Sequence, residues 1–148
     1  MAKSSEPEAI FAGVFRHSMD DKKRLTIPAE WRKRAQEIYV VKNPNRNSLT
    51  VLPPDVFRQV GENARANMTP DQHRNFMTRF YADAKKVSLD SQGRMLMCDE
   101  HCNEAQLKTD VVLTGGLDRI ELWNPANWNA FKGDHGGDYA QSARQAGL

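Results

Sequence analysis

The sequence has few of the features that mark membrane, secreted and catalytic proteins. Its 148 residues include only two cysteines, and no apolar run approaches the roughly 20 residues that a membrane helix needs. The stretch MAKSSEPEA at the N-terminus has no apolar core, so we expect no signal peptide and a cytoplasmic location. In that reducing compartment Cys98 and Cys102 are expected to remain thiols.

Catalytic motifs are also missing. The four histidines are scattered, and the chain has no G-x-S-x-G, P-loop or H-E-x-x-H pattern. The stretch CDEHC groups Cys98, His101 and Cys102, but zinc needs about four ligands and no second cluster has a matching spacing. We therefore expect no enzyme activity, no small-molecule substrate, no cofactor and no metal.

Positive charge is concentrated in the first half of the chain. Residues 1–80 hold 14 Lys and Arg against 9 Asp and Glu, whereas residues 81–148 hold 7 against 10. Such a basic segment is either a contact surface for a polyanion or a solvated face. Its densest part contains Arg16, Lys22, Lys23, Arg24, Arg32, Lys33 and Arg34.

One phrase occurs twice in this chain. HSMDDKKRLTI (17–27) and VSLDSQGRMLM (87–97) each place an aspartate four residues before an arginine. The similarity continues from 38–57 to 109–128, which indicates two copies of one supersecondary unit around a pseudo-two-fold axis. The predicted segments are a first repeat (10–57), a helical connector (58–82), a second repeat (83–128) and a mobile tail (133–148).

Each repeat is predicted to be mainly β. A hairpin is expected across each Asp-to-Arg turn, and a second hairpin joins 39–42 to 48–52 and 110–115 to 119–123. Short helices are expected from Pro28, from Asp99 as N-cap, and from Asn124 as N-cap. Thr69 and Gln72 predict a capping box at the start of the connector's second helix.

The repeated pairs are Asp20 with Arg24 and Asp90 with Arg94. Across a tight turn, each carboxylate can accept turn N–H groups and pair with its guanidinium. The pair then either staples the turn, or holds the arginine outward to meet a phosphate or a guanine edge. Spacing alone leaves both interpretations open.

The doubled D-x-x-x-R phrases, RLTIP after the first and IELW after the second resemble the MraZ family, whose chains carry two SpoVT–AbrB-type repeats. The resemblance spans about residues 10 to 130. It implies an α+β fold, mainly β with short helices, built from a duplicated β-barrel unit. It also implies a sequence-specific regulator that binds short repeats in double-stranded promoter DNA, upstream of its own gene and the division and cell-wall gene cluster. Members form ring-shaped homo-oligomers, so a nucleoid-associated, membrane-free protein is expected.

The family's motif residues fall on both repeats. Its DNA-contacting arginines match Arg24 and Arg94, and its orienting aspartates match Asp20 and Asp90. We expect the first repeat to dominate, because Asp99, Glu100 and Glu104 follow the second closely in sequence. The first repeat's expected basic helpers are Arg16, Lys22 and Lys23.

The chain departs from the family at two positions. Lys23 stands where the family has a glycine, which the second repeat keeps as Gly93, and Cys98 replaces a proline. Two alternative functions stay open: an AbrB-like antitoxin or transition-state regulator, and a ring-forming protein-binding module without DNA binding.

Overall fold

The computed structural model describes residues 10–148. The first repeat contributes four strands, two helices follow, and the second repeat contributes four strands and a short helix before two terminal helices. The strands are β1 (Val14–Ser18), β2 (Arg24–Thr26), β3 (Glu37–Lys42), β4 (Ser48–Leu52), β5 (Lys85–Ser88), β6 (Arg94–Leu96), β7 (Asp110–Gly115) and β8 (Ile120–Trp123). The helices are α1 (Pro54–Asn67), α2 (Pro70–Asp83), α3 (Asp99–Glu104), α4 (Pro125–Asp134) and α5 (Gly136–Gln145).

The two repeats exchange strands. One sheet has the order β1-β7-β8-β4-β3-β5, and a separate two-stranded ribbon pairs β2 with β6. The first strand of each repeat therefore pairs with the third strand of the other repeat. Read from either edge, the sheet shows corresponding strands of the two repeats in the same order. This arrangement confirms the α+β class and the duplicated unit with pseudo-two-fold symmetry.

The predicted closure into a β-barrel is wrong. The six-stranded sheet ends at β1 and β5, which do not pair with each other, so it stays open. A barrel needs a hydrogen-bonded partner for every strand edge. Here the short strands β2 and β6 pair only with each other, so they do not join the edges of the larger sheet.

The hairpin predictions separate into two groups. β3 with β4 and β7 with β8 are antiparallel hairpins, as expected. The predicted hairpin across each Asp-to-Arg turn is wrong, because β1 pairs with β7 and β5 with β3. The turn itself forms, but the chain leaves it toward the other repeat: Ile27 N donates to Gly93 O, and Met97 N to Lys23 O, both at 2.9 Å.

The main core lies between the sheet and the ribbon. Leu25 and Met95 face each other across the ribbon and are fully buried, as are Ile38 and Leu113 on the sheet. The ring of Trp31 makes edge-to-face contacts with the rings of Phe11 and Phe15. Both repeats thus contribute to the core, and the face of the ribbon that carries Leu25 and Met95 is the buried one.

A smaller apolar cluster holds the connector. Val41 and Leu52 of the sheet contact Val56 of α1, and Phe57 and Phe80 pack around them. α2 itself has no buried residue. The connector therefore covers one face of the hairpin β3–β4 and leaves much of α2 in contact with solvent.

Helix ends were predicted with mixed success. Thr69 Oγ1 accepts Gln72 N while Gln72 Oε1 accepts Thr69 N, so the capping box is confirmed, and Asn124 caps α4 as predicted. α3 is capped by Cys98 instead of Asp99. The helix expected from Pro28 is only a 3-10 turn, Ala29–Trp31, which places Trp31 in the core.

Most of the segment predicted as a tail is helical. α5 follows the last turn of α4 and has no buried side chain. Its mobility stays a prediction. Within residues 10–148, no helix is both long and apolar enough to cross a bilayer.

Candidate nucleic-acid interface

The first arginine turn (Asp20–Arg24) is organised by one carboxylate. Asp20 Oδ1 accepts the backbone N–H groups of Lys22 and Arg24, each at 2.9 Å. Arg24 Nε donates to Asp20 Oδ2 at 2.7 Å, and Lys23 N donates to Asp20 O at 3.0 Å. Lys23 adopts a φ of 58°, in the left-handed region that glycine normally occupies. Asp20 therefore fixes both the turn and the arginine.

The second arginine turn (Asp90–Arg94) repeats this geometry. Asp90 Oδ1 accepts the N–H groups of Gln92 and Arg94 at 2.9 Å, and Arg94 Nε donates to Asp90 Oδ2 at 2.8 Å. Gly93 supplies the left-handed position with a φ of 77°. The recurring phrase in the sequence thus encodes one recurring side-chain arrangement.

Both carboxylates are held in the ionised form. The backbone N–H of Arg24 is the main cause that lowers the pKa of Asp20 below its ordinary value, and the Arg24 guanidinium adds to the effect. The N–H and guanidinium of Arg94 lower the pKa of Asp90 in the same way. Each arginine is anchored through Nε. Within residues 10–148 no hydrogen bond engages the terminal guanidinium nitrogens of Arg24, and Arg94 Nη1 only approaches Asp20 Oδ2, at 3.9 Å.

The ribbon β2–β6 presents both arginines outward. Residues alternate along it, so the fully buried pair Leu25 and Met95 faces the core. The register places Arg24 opposite Leu96, and Thr26 opposite Arg94. Leu96 is 61% exposed, which marks this face as the one in contact with solvent. Two fixed guanidinium groups therefore lie on one side of a narrow antiparallel ribbon.

Different side chains cover the two turns. Lys23 Nζ forms an ion pair with Asp99 of α3, and this pairing raises the pKa of Lys23. Gly93 lies against Arg32, whose Nε donates to Ile27 O at 2.8 Å. The strand exchange thus brings an acidic residue of the second repeat to the first turn, and a basic residue of the first repeat to the second.

The other predicted site residues are distributed around the turns. Lys22 is exposed within the first arginine turn, whereas Arg16 is exposed on β1. Sequence reasoning noted Arg32 as part of a basic run and Asp99 as part of an acidic run and as an N-cap, and it missed their positions beside Gly93 and Lys23. No local signal reveals such contacts, since they depend on the exchange.

The cysteines do not form a cluster of metal ligands. Cys98 Sγ accepts His101 N at 3.5 Å as the cap of α3, and burial raises the pKa of Cys102. Among residues 10–148, no group of three or more potential ligands contains either thiol.

Comparison with known proteins places this arrangement in a class. A family model described as "MraZ protein, putative antitoxin-like" matches residues 10–79 and 80–144. Three similar proteins are each named "Transcriptional regulator MraZ". That of Corynebacterium kroppenstedtii is 34% identical over 132 residues, 88% of this chain and 92% of its own. That of Nocardioides sp. is 34% identical over 136 residues (91% and 94%), and that of Desulfitobacterium hafniense 33% over 135 residues (90% and 94%).

The duplicated fold and these relatives define a class of transcriptional regulators with two repeats per chain, and not a class of enzymes. Within it, the chain belongs to the MraZ family. The resemblance seen in the sequence is confirmed. The predicted limits of the repeats and the predicted roles of single residues stay predictions.

Proposed function

We propose that this protein is a sequence-specific transcriptional regulator that contacts double-stranded promoter DNA through the ribbon β2–β6. The observation that carries the proposal is the pair of arginines, Arg24 and Arg94, held by Asp20 and Asp90 in the same way on one outward face. The antiparallel register of the ribbon places both guanidinium groups on one side, so a single DNA groove can meet both of them.

The shape of the ribbon supports this mode of binding. The major groove of B-DNA admits a two-stranded β-ribbon, and an arginine fork pairs with both acceptors of a guanine edge. Anchoring each arginine at Nε removes part of the conformational freedom that it would otherwise lose on binding. The aspartates are in this proposal orienting groups that do not touch DNA.

The charges around the turns support comparable roles for the two arginines. The expected dominance of Arg24 rested on acidic residues that follow Arg94 in sequence. Asp99, the first of them, pairs instead with Lys23. We therefore assign base reading to both arginines. Phosphate contacts fall to the exposed Lys22 and Arg16, with a smaller share for Lys23.

Self-association is the second part of the proposal. α2 and α4 carry half-buried aromatic pairs, Phe76 with Phe80 at 5.2 Å and Trp128 with Phe131 at 5.9 Å between ring centroids. The part of this aromatic surface that stays in contact with solvent favours burial against another subunit. We propose a closed homo-oligomeric ring that presents several ribbons to repeated DNA boxes and so gains effective concentration.

The proposed targets are short repeats upstream of the protein's own gene and of the division and cell-wall gene cluster. This assigns the protein to the cytoplasm, in association with the nucleoid.

Fluorescence anisotropy with that upstream DNA, at two salt concentrations, tests the proposal. We expect tight binding that weakens with salt, and much weaker binding to a scrambled duplex of equal length. Light scattering on the same sample checks the ring. A folded, ring-forming protein with no preference for its upstream DNA would support the protein-binding alternative and overturn this function.

A further inference from the structure

We propose that Asp83, His101 and Glu104 form a binding site for a divalent transition-metal cation of the zinc type, where the end of α2 meets α3. Each residue offers one ligand atom, and these atoms all lie within 4.8 Å of one another. The site is separate from the arginine turns, so it does not depend on the proposed DNA contact.

His101 provides the buried ligand. Its side chain is 2% exposed, and its Nε2 donates to the main-chain oxygen of Asp83 at 3.1 Å and lies 3.5 Å from Asp83 Oδ1. A bound metal ion would replace the proton of this N–H group. Zinc bonds of 2.0–2.2 Å place two ligand atoms about 2.8–3.6 Å apart in tetrahedral or octahedral geometry. The separation between Nε2 and Oδ1 already falls within that range.

The two carboxylates are positioned differently. Asp83 Oδ2 accepts the backbone N–H of Lys42 at 2.8 Å, which fixes the carboxylate with Oδ1 toward the imidazole. Glu104 follows His101 by three residues on α3, so both side chains lie on one helix face. Within residues 10–148, no hydrogen bond or ion pair holds the Glu104 carboxylate, although its charge acts on the Lys42 ammonium. It is exposed and can swing onto a cation.

The local charge favours a cation. The nearby ammonium of Lys42 donates to Asn43 O at 2.7 Å and to Arg46 O at 2.6 Å. Lys85 and Lys86 line the neighbouring cleft, and Lys86 pairs with Glu37, so the carboxylates of Asp83 and Glu104 remain available to balance a dication.

The donor set selects the kind of metal. One imidazole nitrogen with two carboxylate oxygens suits zinc and its first-row neighbours better than calcium or magnesium, which prefer all-oxygen sites. Three protein ligands leave one position for water on the exposed side of Glu104. A bound metal would clamp the end of the connector to the second repeat.

Metal titration of the full-length, chelator-treated protein tests this site. With zinc chloride in isothermal calorimetry, we expect one ion per chain. At saturation the melting temperature should rise by about 5 °C. Glu104→Gln should weaken binding at least about tenfold, as loss of a ligand does. Glu100→Gln, an exposed position on the same helix, is the matched control and should bind as the wild type does.

Cobalt distinguishes this site from a thiolate site. Cobalt bound by the proposed ligands gives no thiolate charge-transfer band, and Cys98→Ser should retain full affinity. His101→Gln should abolish binding, with circular dichroism to check its fold. The proposal would be overturned by a wild type without stoichiometric binding, by a Glu104→Gln variant of unchanged affinity, or by binding lost in Cys98→Ser.

Discussion

The two arginine turns hold their arginines alike but lie against different neighbours. Arg24 Nε lies 2.7 Å from Asp20, and Arg94 Nε lies 2.8 Å from Asp90. Beside these pairs, the first arginine turn has Lys23, which forms an ion pair with Asp99 of α3. The second has Gly93, which packs against Arg32. The contact geometry is thus constrained in both copies, whereas the covering residues have diverged.

This comparison shows how strand exchange redistributes charge. Each turn is covered by the other repeat, so the surroundings of an arginine cannot be deduced from its sequence neighbours. Four predictions test the comparison, in order of decreasing expected effect.

The largest effect should come from removing both outward arginines. Arg24→Ala and Arg94→Ala should each weaken specific DNA binding by about 1–3 kcal/mol per engaged subunit. The double variant should lose more than either single variant, but not their simple sum, because both guanidinium groups approach Asp20. The two single losses should be similar, because both arginines are held in the same geometry. Anisotropy on specific and scrambled duplexes measures this. A much larger loss for Arg24 would restore the inequality expected from sequence order.

Copying the first turn into the second should be costly. Gly93→Lys forces a side chain into the left-handed region and against the Arg32 guanidinium, which is already bonded to Ile27 O. We expect a loss of about 1–3 kcal/mol in the free energy of unfolding. Urea denaturation measures it, and adding Arg32→Ala should recover part of the loss. An equal free energy of unfolding for the wild type and Gly93→Lys would show that lysine and glycine are interchangeable at the left-handed position of the second turn.

The opposite exchange should be mild. Lys23→Gly relieves a left-handed lysine but loses the ion pair with Asp99. We expect a melting temperature within about 3 °C of the wild type. Asp99→Asn should leave the fold intact and release the Lys23 ammonium, which would steepen the salt dependence of DNA binding by up to about one unit. An unchanged salt slope would place Lys23 away from DNA.

The smallest effect concerns acid stability. The pKa of Asp20 and that of Asp90 are lowered by turn N–H groups, so these carboxylates stabilise the fold above the unfolded-state pKa, near 3.8. That stabilisation is lost as pH falls through the folded-state pKa. Asp20→Asn and Asp90→Asn should therefore be less stable than wild type at pH 7, and this difference should shrink as the pH falls below 3.8. Asp21→Asn is the matched control, and a stability difference that does not shrink as the pH falls would assign the loss to packing.

Local features could be predicted from the sequence, and distant pairings could not. The hairpin β3–β4, the Thr69 capping box and the Asn124 cap depend on residues within a few positions of one another. The exchange depends on pairs such as Val14 with Thr114. The alternation of polar and apolar residues along β1 does not distinguish β7 from β2 as its partner strand. The hairpin and barrel predictions failed for this reason.

The candidate sites follow the same rule. Asp20 with Arg24 and Asp90 with Arg94 are four residues apart, so the sequence alone revealed them. Only part of the proposed metal site could be seen in the sequence. His101 and Glu104 have the three-residue spacing of a shared helix face, but Asp83 comes from another helix.

The exchange of strands also sets the order in which the chain can fold during synthesis. β1 has its partner in β7, and Val14 pairs with Thr114. At translation rates of about 5–20 residues per second, β1 leaves the ribosome roughly 5–20 seconds before that partner. A nascent chain stalled after α2 should be cleaved readily by protease, and one released after β8 should resist. Until then β1 and β2 lack their partner strands, although β3 and β4 can already pair, so the first repeat is open to chaperones and to the same segment of a neighbouring nascent chain.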